Sequence, residues 1–287
     1  MKYLDNFVKD SCVLCPRECK INRNLHNGLC KTRNKLEIAS YNLYFGEEPP
    51  ISGKNGSGAI FFAGCSLSCV YCQNYPISQL KSAYRTISTE ELADIMIKLQ
   101  KRGAHNINLV TPTHFVHLIC SAIEIARDKG LSIPIVYNTS SYDKENVIYY
   151  LKDYVDVYLA DLKYSDNNLA KRFSGVSNYV ETAEKAIIAM FKTKGGLVVN
   201  RDGIAQRGVI IRHLVLPNHI DDTKNVLKWI HTNFPNTHLS LMSQYFPAYK
   251  AEKFNDIKSR LSKKEWSTVL EMLDNLHNFN GFIQDAY

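Results

Sequence analysis

Residues 59–75 read AIFFAGCSLSCVYCQNY, an apolar run that ends at Cys65 and is followed by Cys69 and Cys72. A short apolar run of this kind predicts a buried strand, which places the three cysteines on the loop that follows it. Thiolates spaced four and three residues apart can surround one iron-sulfur cluster, but such clusters usually take four thiolates. The stretch therefore predicts a strand, a cysteine loop and a cluster that lacks one local ligand.

The same strand begins a repeating pattern. From residue 59 onward, short apolar runs alternate with longer stretches of helical periodicity, which is typical of β-α units around a parallel sheet. The six candidate strands are AIFFAGC (59–65), NINLVTP (106–112), IPIVYNT (133–139), VDVYLADLK (155–163), VIIRHLVLP (209–217) and HLSLMSQY (238–245). Because crossover connections are right-handed, we expect an α/β fold, a partial (β/α)6 TIM-like barrel, with a doubly wound open sheet as the alternative.

Helix boundaries are marked by local signals. Ser88 followed by Glu91 forms a capping-box sequence, and Ser262 with Glu265 repeats it before the last helix. Residues 178–196 have helical periodicity and end in two glycines. These signals support helices between and after the predicted strands.

Three regions are expected along the chain. Residues 1–35 form a Cys-rich metal-binding segment, residues 36–58 a connecting arm with turn-forming Gly and Pro, and residues 59–287 the barrel with its C-terminal helix. In such a barrel, ligands bind at the carboxyl ends of the strands, where Cys65 lies.

Composition limits the class of protein. The 287 residues are 45% hydrophobic and 22% charged, which is typical of a folded protein. The net charge of +7 is spread along the chain, so we expect a solvated basic surface and no nucleic-acid partner. No signal-peptide core and no apolar run of about 18 residues is present, which predicts a cytoplasmic protein without a membrane segment. In that reducing compartment, eight cysteines favour metal binding over disulfides.

Zinc is the main rival for the three-cysteine loop, but structural zinc takes four ligands, and Gln73 and Asn74 follow Cys72. The remaining cysteine outside the two clusters, Cys120, lies among apolar residues of a predicted helix. We interpret it as a buried thiol, with a ligand role as the alternative. The loop thus predicts an iron with an open position.

The C-x3-C-x2-C motif after the first barrel strand, with Tyr71 before the last cysteine, resembles the radical S-adenosylmethionine (radical SAM) superfamily. The resemblance implies that Cys65, Cys69 and Cys72 hold a 4Fe-4S cluster and that S-adenosylmethionine chelates its fourth iron. It also implies reductive cleavage of that cofactor to a 5'-deoxyadenosyl radical, which abstracts hydrogen from a substrate.

Two further stretches, residues 160–179 and 211–217, resemble strands of the pyruvate formate-lyase activating enzyme and its relatives. The resemblance implies that Lys163 and Arg212 contact S-adenosylmethionine and that Asp161 belongs to a monovalent-cation site. It also places Tyr245 near the adenine. From the residues alone, Asp161, Lys163 and Arg212 form a group of charges at the barrel mouth, which an anionic carboxylate would suit.

One turn departs from that pattern. The family usually has Gly-Gly-Glu after the second strand to bind the amino group of S-adenosylmethionine, whereas this chain has Thr111, Pro112 and Thr113. We expect backbone carbonyls and hydroxyls of Thr111 and Thr113 to take part, and Asn138 to offer hydrogen bonds at the mouth. Several phrases, including residues 47–53, look like an uncharacterised subgroup related to the activating enzyme.

Other polar residues leave alternatives open. His114 and His117 are either a metal pair or, as we prefer, a pocket wall and an ordinary helix residue. Glu47 and Glu48 are interpreted as a solvated turn, with a pocket role as the alternative.

The N-terminal segment carries its own ligand set, Cys12, Cys15, Cys19 and Cys30. Four thiolates suffice for a closed site, and both a structural zinc and a second 4Fe-4S cluster fit. We favour the cluster because the neighbouring site must be reduced.

Three functions are therefore considered. The first is a glycyl-radical activase that acts on a backbone glycine of a partner enzyme, and the second is the same chemistry on another peptide or a small molecule. The third is a non-enzymatic iron-sulfur or zinc module. By analogy, the first two need a low-potential reductant such as flavodoxin or ferredoxin.

Overall fold

A computed structural model of the protein describes residues 3–276 and 280–284, and its centre is one ten-stranded sheet. In chain order the strands are β1 (Leu36–Tyr44), β2 (Ser57–Phe62), β3 (Arg85–Ile87), β4 (Ile107–Val110), β5 (Ile135–Thr139), β6 (Val157–Asp161), β7 (Val198–Val199), β8 (Ala205–Leu214), β9 (His238–Met242) and β10 (Asn280–Gln284).

Nine α-helices are present in the described residues, and the longer ones pack on the outer face of this sheet. They are α1 (Pro49–Ser52), α2 (Tyr75–Ser78), α3 (Thr89–Lys101), α4 (Val116–Asp128), α5 (Glu145–Tyr150), α6 (Asn167–Ser174), α7 (Tyr179–Lys194), α8 (Ile220–Asn233) and α9 (Lys263–Asn275). Short 3-10 helices occupy Tyr3–Phe7, Thr113–Phe115, Leu151–Asp153 and Ala251–Lys253.

All six predicted strands are present, as β2, β4, β5, β6, β8 and β9, and each is parallel to its neighbour. Their spatial order follows the chain without reversal. A doubly wound sheet reverses its strand order at a switch point, so this order excludes that alternative. The partial TIM-like barrel is confirmed: the sheet is curved but does not close on itself.

The described strands extend the predicted sheet at both edges. On one edge β10 pairs in parallel with β9, and on the other β1 pairs antiparallel with β2. Tyr44 at the end of β1 lies opposite Ser57 at the start of β2. Part of the expected connecting arm is therefore an edge strand, and the chain after Tyr44 turns back under the start of the barrel.

Two apolar cores surround the sheet. The larger one lies between the strands and the outer helices, where buried side chains such as Leu109, Phe115 and Met190 pack together. The smaller one is inside the curve, where Ile51 of α1 packs with Val136, Val157, Leu159, Ala205 and Ile210. Because Val157 and Ala205 begin their strands, α1 closes the starting end of the barrel.

The predicted capping residues form the expected hydrogen bonds at the helix ends. Ser88 Oγ accepts a hydrogen bond from the Glu91 amide at 3.1 Å, and Glu91 accepts one from the Ser88 amide at 3.0 Å. Ser262 and Glu265 form the same capping box at α9, and Gly195 ends α7. These bonds satisfy amides at helix ends that would otherwise lack partners.

The N-terminal segment has little regular structure but packs on the barrel. Leu4, Val8 and Leu14 are buried in the larger core. Arg23 is buried as well, and it donates hydrogen bonds to the His114 carbonyl at 2.7 Å and to Thr32 Oγ1 at 2.9 Å. None of the described helices has the length and hydropathy to cross a membrane.

Candidate active site

A cavity of about 430 Å³ opens at the carboxyl ends of the central strands. The cysteine loop after β2 forms one wall, and charged residues from β6 and β8 form another. The cysteines and charged side chains that line it are Cys65, Cys69, Cys72, Glu47, Glu48, Asp161, Lys163 and Arg212. Its volume is in the range of small-molecule sites.

Each of the three thiols of the loop has a short polar contact. The Leu67 amide donates to Cys65 Sγ at 3.4 Å, Cys69 Sγ lies 3.0 Å from Ser174 Oγ, and Cys72 Sγ lies 3.2 Å from Ser78 Oγ. Burial raises the pKa of Cys69 to about 11, although the nearby Lys163 opposes this. A metal would therefore have to displace the thiol protons, as thiolate ligation requires.

The donor set of the loop fits the expected cluster. Within residues 3–276 and 280–284, neither a histidine nor another cysteine joins the three thiols on the cavity wall. In the described part of the chain, no three His, Cys, Asp or Glu side chains are grouped so that they could hold one metal ion, and this includes these three thiols and the N-terminal four. Three thiolates without a nitrogen ligand are the donors of an iron-sulfur cluster with one open iron.

Opposite the loop, Asp161 joins the two cations of the cavity. Its carboxylate accepts hydrogen bonds from Lys163 Nζ and Arg212 Nε, each at 2.7 Å. Burial by itself would raise the pKa of Asp161, but Arg212 and Lys163 outweigh it and lower that pKa. Burial likewise acts to lower the pKa of Lys163, and Asp161 reverses this so that it is raised. All three groups are therefore charged near neutral pH.

Seven of the eight residues predicted for the cofactor site, including Asp161 of the expected monovalent-cation site, line this cavity: Tyr71, Thr111, Thr113, Asn138, Asp161, Lys163 and Arg212. Tyr245 lies outside the lining, with its hydroxyl donating to the Ile257 carbonyl at 2.6 Å. Its ring touches that of Tyr71, edge to face, at 5.9 Å between centroids.

Thr111 has an unusual backbone conformation. Its φ is +61°, in the left-handed region that a β-branched residue seldom adopts, and its amide donates to the Asn138 carbonyl at 3.0 Å. Strain of this kind is kept where the surrounding structure requires it, commonly at functional sites. Thr111 and Thr113 of this turn both line the cavity.

The interpretation of Glu47 and Glu48 as a solvated turn is wrong. Glu47 Oε2 accepts from Arg212 Nη1 at 3.0 Å, and its Oε1 accepts from Asn108 and Asn138 at 3.0 and 3.2 Å. Burial raises the pKa of Glu47 although Arg212 opposes this. Local sequence contains no signal for this placement, because it depends on the pairing of β1 with β2.

The two histidines form neither a metal pair nor a pocket wall. His114 Nε2 bonds the Ala63 carbonyl at 2.8 Å, and His117 Nε2 bonds Asn34 Oδ1 at 2.6 Å. Both rings are buried, and this burial lowers each pKa to about 3. They are neutral residues that connect α4 and its preceding turn to neighbouring segments, and they do not line the cavity.

The four N-terminal cysteines lie together beside the loop. Burial raises the pKa of Cys15 to about 12, and the neighbouring Cys30, Cys12 and Cys19 add to the effect. The Cys65 amide donates to the Cys30 carbonyl at 3.3 Å. Gly64 permits this approach, since a Cβ there would lie within 2.4 Å of that carbonyl oxygen. The two cysteine sets are therefore in direct backbone contact. Cys120, in contrast, is buried in α4.

A partial barrel with three cysteines on the loop after its first parallel strand defines a class of cluster-binding proteins. Residues 59–230 match the Radical SAM superfamily, and the chain belongs to it.

The sequence is also 33% identical over 272 residues to an uncharacterized protein of Methanocaldococcus jannaschii, MJ0674, a match that covers 92% of this chain and 74% of that one. Among solved structures, native anSMEcpe with bound AdoMet superposes with a TM-score of 0.52 and 16% identity over 77% of this chain and 61% of that one. The crystal structure of Streptococcus suis SuiB superposes with a TM-score of 0.51 and 13% identity, and the match covers 78% of this chain and 48% of that one. The chain thus spans about half to three fifths of those structures, and the likeness concerns the fold.

Proposed function

We propose that this protein is a radical SAM enzyme that binds a 4Fe-4S cluster through Cys65, Cys69 and Cys72 and S-adenosylmethionine at the open iron. One observation carries the proposal. The three thiols line the same cavity as the pair of cations that Asp161 holds. When bound, the cluster and S-adenosylmethionine supply one-electron reductive cleavage to methionine and a 5'-deoxyadenosyl radical.

Residues around the thiols would support the bound cluster. The hydroxyls of Ser174 and Ser78 are within hydrogen-bond reach of Cys69 and Cys72. Lys163 acts electrostatically on Cys69 and favours its thiolate form. Contacts of this kind orient metal ligands and adjust cluster potential.

The remaining lining residues would hold S-adenosylmethionine. Lys163 and Arg212 suit its carboxylate, and Thr111, Thr113 and Asn138 offer hydrogen bonds to its polar groups. Tyr71 would pack against it, with Tyr245 supporting the Tyr71 ring. Both carboxylate oxygens of Asp161 are engaged by cations, so we assign Asp161 the positioning of Lys163 and Arg212 in place of a monovalent ion.

The N-terminal cysteines would hold a second 4Fe-4S cluster that passes an electron to the first. The hydrogen bond from the Cys65 amide to the Cys30 carbonyl supports this, because it brings the two ligand sets into contact. Arg17 adds a second connection by donating to the Ser66 carbonyl at 2.7 Å. Zinc is the competing occupant, and metal analysis separates the two.

The reaction would use a low-potential flavodoxin or ferredoxin in the cytoplasm. Its hydrogen donor is a backbone glycine of a partner enzyme, another peptide or a small molecule, with the glycine drawn from the resemblance to activating enzymes. Incubation with a glycyl-radical enzyme separates these substrates, since activation would produce a protein radical signal on the partner.

The central experiment is anaerobic reconstitution with iron and sulfide. The reduced protein should show a 4Fe-4S electron-spin signal that shifts when S-adenosylmethionine is added. Dithionite should then yield 5'-deoxyadenosine, measured by chromatography. An unshifted signal together with intact S-adenosylmethionine contradicts the proposal and favours a non-enzymatic module.

A further inference from the structure

Glu48 is a buried carboxylate on the cavity wall with one unused oxygen. Its exposure is 1%, and its Oε1 lies 3.5 Å from Gln284 Nε2. Among the described residues no hydrogen-bond donor reaches Oε2, and Arg212 Nη1 is 3.8 Å away. Although Glu48 precedes α1, its side chain does not cap that helix. Leaving a buried charged acceptor unpaired is costly, so a donor from a ligand is expected at this oxygen.

The cavity also contains more carboxylates than cations. Three carboxylates, Glu47, Glu48 and Asp161, face two cations, Lys163 and Arg212. Asp161 engages both cations, while Arg212 also donates through Nη1 to Glu47 and through Nη2 to Asn138 Oδ1. Among the described residues, Glu48 is therefore the carboxylate with the longest ion pair, 3.8 Å to Arg212 Nη1, and its Oε2 accepts no hydrogen bond.

A second acceptor lies on the same wall. Gln244 donates through Nε2 to Gln284 Oε1 at 2.6 Å, while its own Oε1 is buried and meets no donor within the described chain. Gln244 and Glu48 both line the cavity. Two unused oxygens, one of them charged, match a group that carries several N–H donors and a positive charge.

Glu47 and Glu48 reach the cavity from the starting end of the barrel. They follow Tyr44, which pairs with Ser57 at the start of β2, and Glu48 adjoins α1. Their side chains extend to the carboxyl ends of the strands, because Glu47 accepts from Arg212 and Glu48 Oε1 lies 3.5 Å from Gln284 Nε2 at the end of β10. A group held by Glu48 would therefore lie beside Arg212, and competition with S-adenosylmethionine distinguishes a substrate from that cofactor.

We propose that Glu47, Glu48 and Gln244 form a substrate subsite for a cationic nitrogen group, a guanidinium or a primary ammonium. The inference rests on the proposed function, because it names the class of molecule that donates hydrogen in this cavity. Glu48 accepts the first N–H, Gln244 accepts a second, and Glu47 adds negative charge while it stays bound to Arg212. The substrate is thus a basic small molecule or a peptide with a basic side chain.

Calorimetric titration of the reconstituted protein tests the subsite with three probes of one shape: n-butylguanidinium, n-butylammonium and neutral n-butylurea. We expect the cations to bind at least roughly tenfold more tightly than the urea, since only they pair with a buried carboxylate. Glu48→Gln should weaken cation binding by a similar factor. The control Glu90→Gln, at an exposed position of α3, should bind like the wild type.

Equal affinity for n-butylurea and n-butylguanidinium overturns the inference, and this comparison needs no variant. Unchanged cation binding by a folded Glu48→Gln protein also overturns it. Competition between n-butylguanidinium and S-adenosylmethionine would assign the carboxylates to the amino group of that cofactor and reject the substrate subsite. A peptide of glycines with a central arginine, compared with n-butylguanidinium, separates the two substrate sources. Production of 5'-deoxyadenosine without any probe tests the proposed function separately.

Discussion

The two cysteine regions of this protein differ in ligand number and in what faces the thiols. The N-terminal segment supplies four cysteines from turns, three of them buried. The barrel loop supplies three, and they face a cavity with paired cations on its opposite wall. Four thiolates complete a metal site, whereas three leave a coordination position for another molecule. The contrast separates a closed site suited to structure or electron relay from an open one suited to chemistry.

The largest expected effect is the loss of S-adenosylmethionine cleavage when a cysteine of the open site is replaced, compared with replacement of a buried cysteine elsewhere. Cys69→Ala removes one of three ligands and should reduce cleavage of S-adenosylmethionine by more than about 100-fold, because even outer contacts of metal ligands are worth roughly 10–100-fold. The measurement is 5'-deoxyadenosine formed per cluster. Cys120→Ala, a change within α4, is the matched control and should keep activity. Similar rates in both variants would place the cluster elsewhere.

Metal analysis addresses the closed site. In a variant with Cys65, Cys69 and Cys72 all changed to Ala, the N-terminal cysteines are the remaining cluster of thiols. We expect about four irons per chain if they hold a 4Fe-4S cluster. About one zinc per chain with no iron would reject the electron relay and leave a structural role.

A substitution of Lys163 tests the role of the cations that line the cavity beside the three-cysteine loop. Lys163→Met should raise the dissociation constant of S-adenosylmethionine roughly 30-fold, since loss of a buried charge partner costs about 2 kcal/mol or more. The control is Lys171→Met, at an exposed position of α6. Equilibrium binding followed through the electron-spin signal provides the measurement. An unaltered constant would mean that Lys163 serves only Asp161.

The last prediction concerns the contact between the N-terminal segment and α4 of the barrel. Burial lowers the pKa of His117 to about 3, and its ring bonds Asn34. The unfolded chain binds the proton more readily, so the free energy of unfolding should fall as pH decreases from about 6.5 toward 3. At pH 5 this one residue contributes a loss of about 2 kcal/mol relative to neutral pH.

Denaturant titrations at pH 7 and pH 5 measure that loss. His117→Gln keeps a donor for Asn34 without the titrating ring, so its stability should depend less steeply on pH than that of the wild type. His26→Gln, at an exposed position, should match the wild type. Equal pH dependence in all three proteins would contradict a buried neutral His117.

Sequence reasoning succeeded where a signal is local. The alternation of apolar runs predicted six strands, and the Ser88 and Ser262 capping boxes predicted two helix starts, because each pattern reflects contacts within one element. It failed at Glu47 and Glu48, whose flanking residues are those of a turn. Their burial follows from the pairing of β1 with β2, about which the local sequence carries no information.

The sequence by itself determined the ligand chemistry of this protein, because the number and spacing of cysteines on one loop limit which metal groups they can hold. Tertiary structure decided what surrounds those ligands. Folding brought Arg212, Asp161 and Glu48 from distant segments to one cavity and brought Cys30 against Cys65. The physical reason is range: ligand spacing is a property of a few bonded residues, whereas the electrostatic environment of a site is a sum over elements that meet only in the fold.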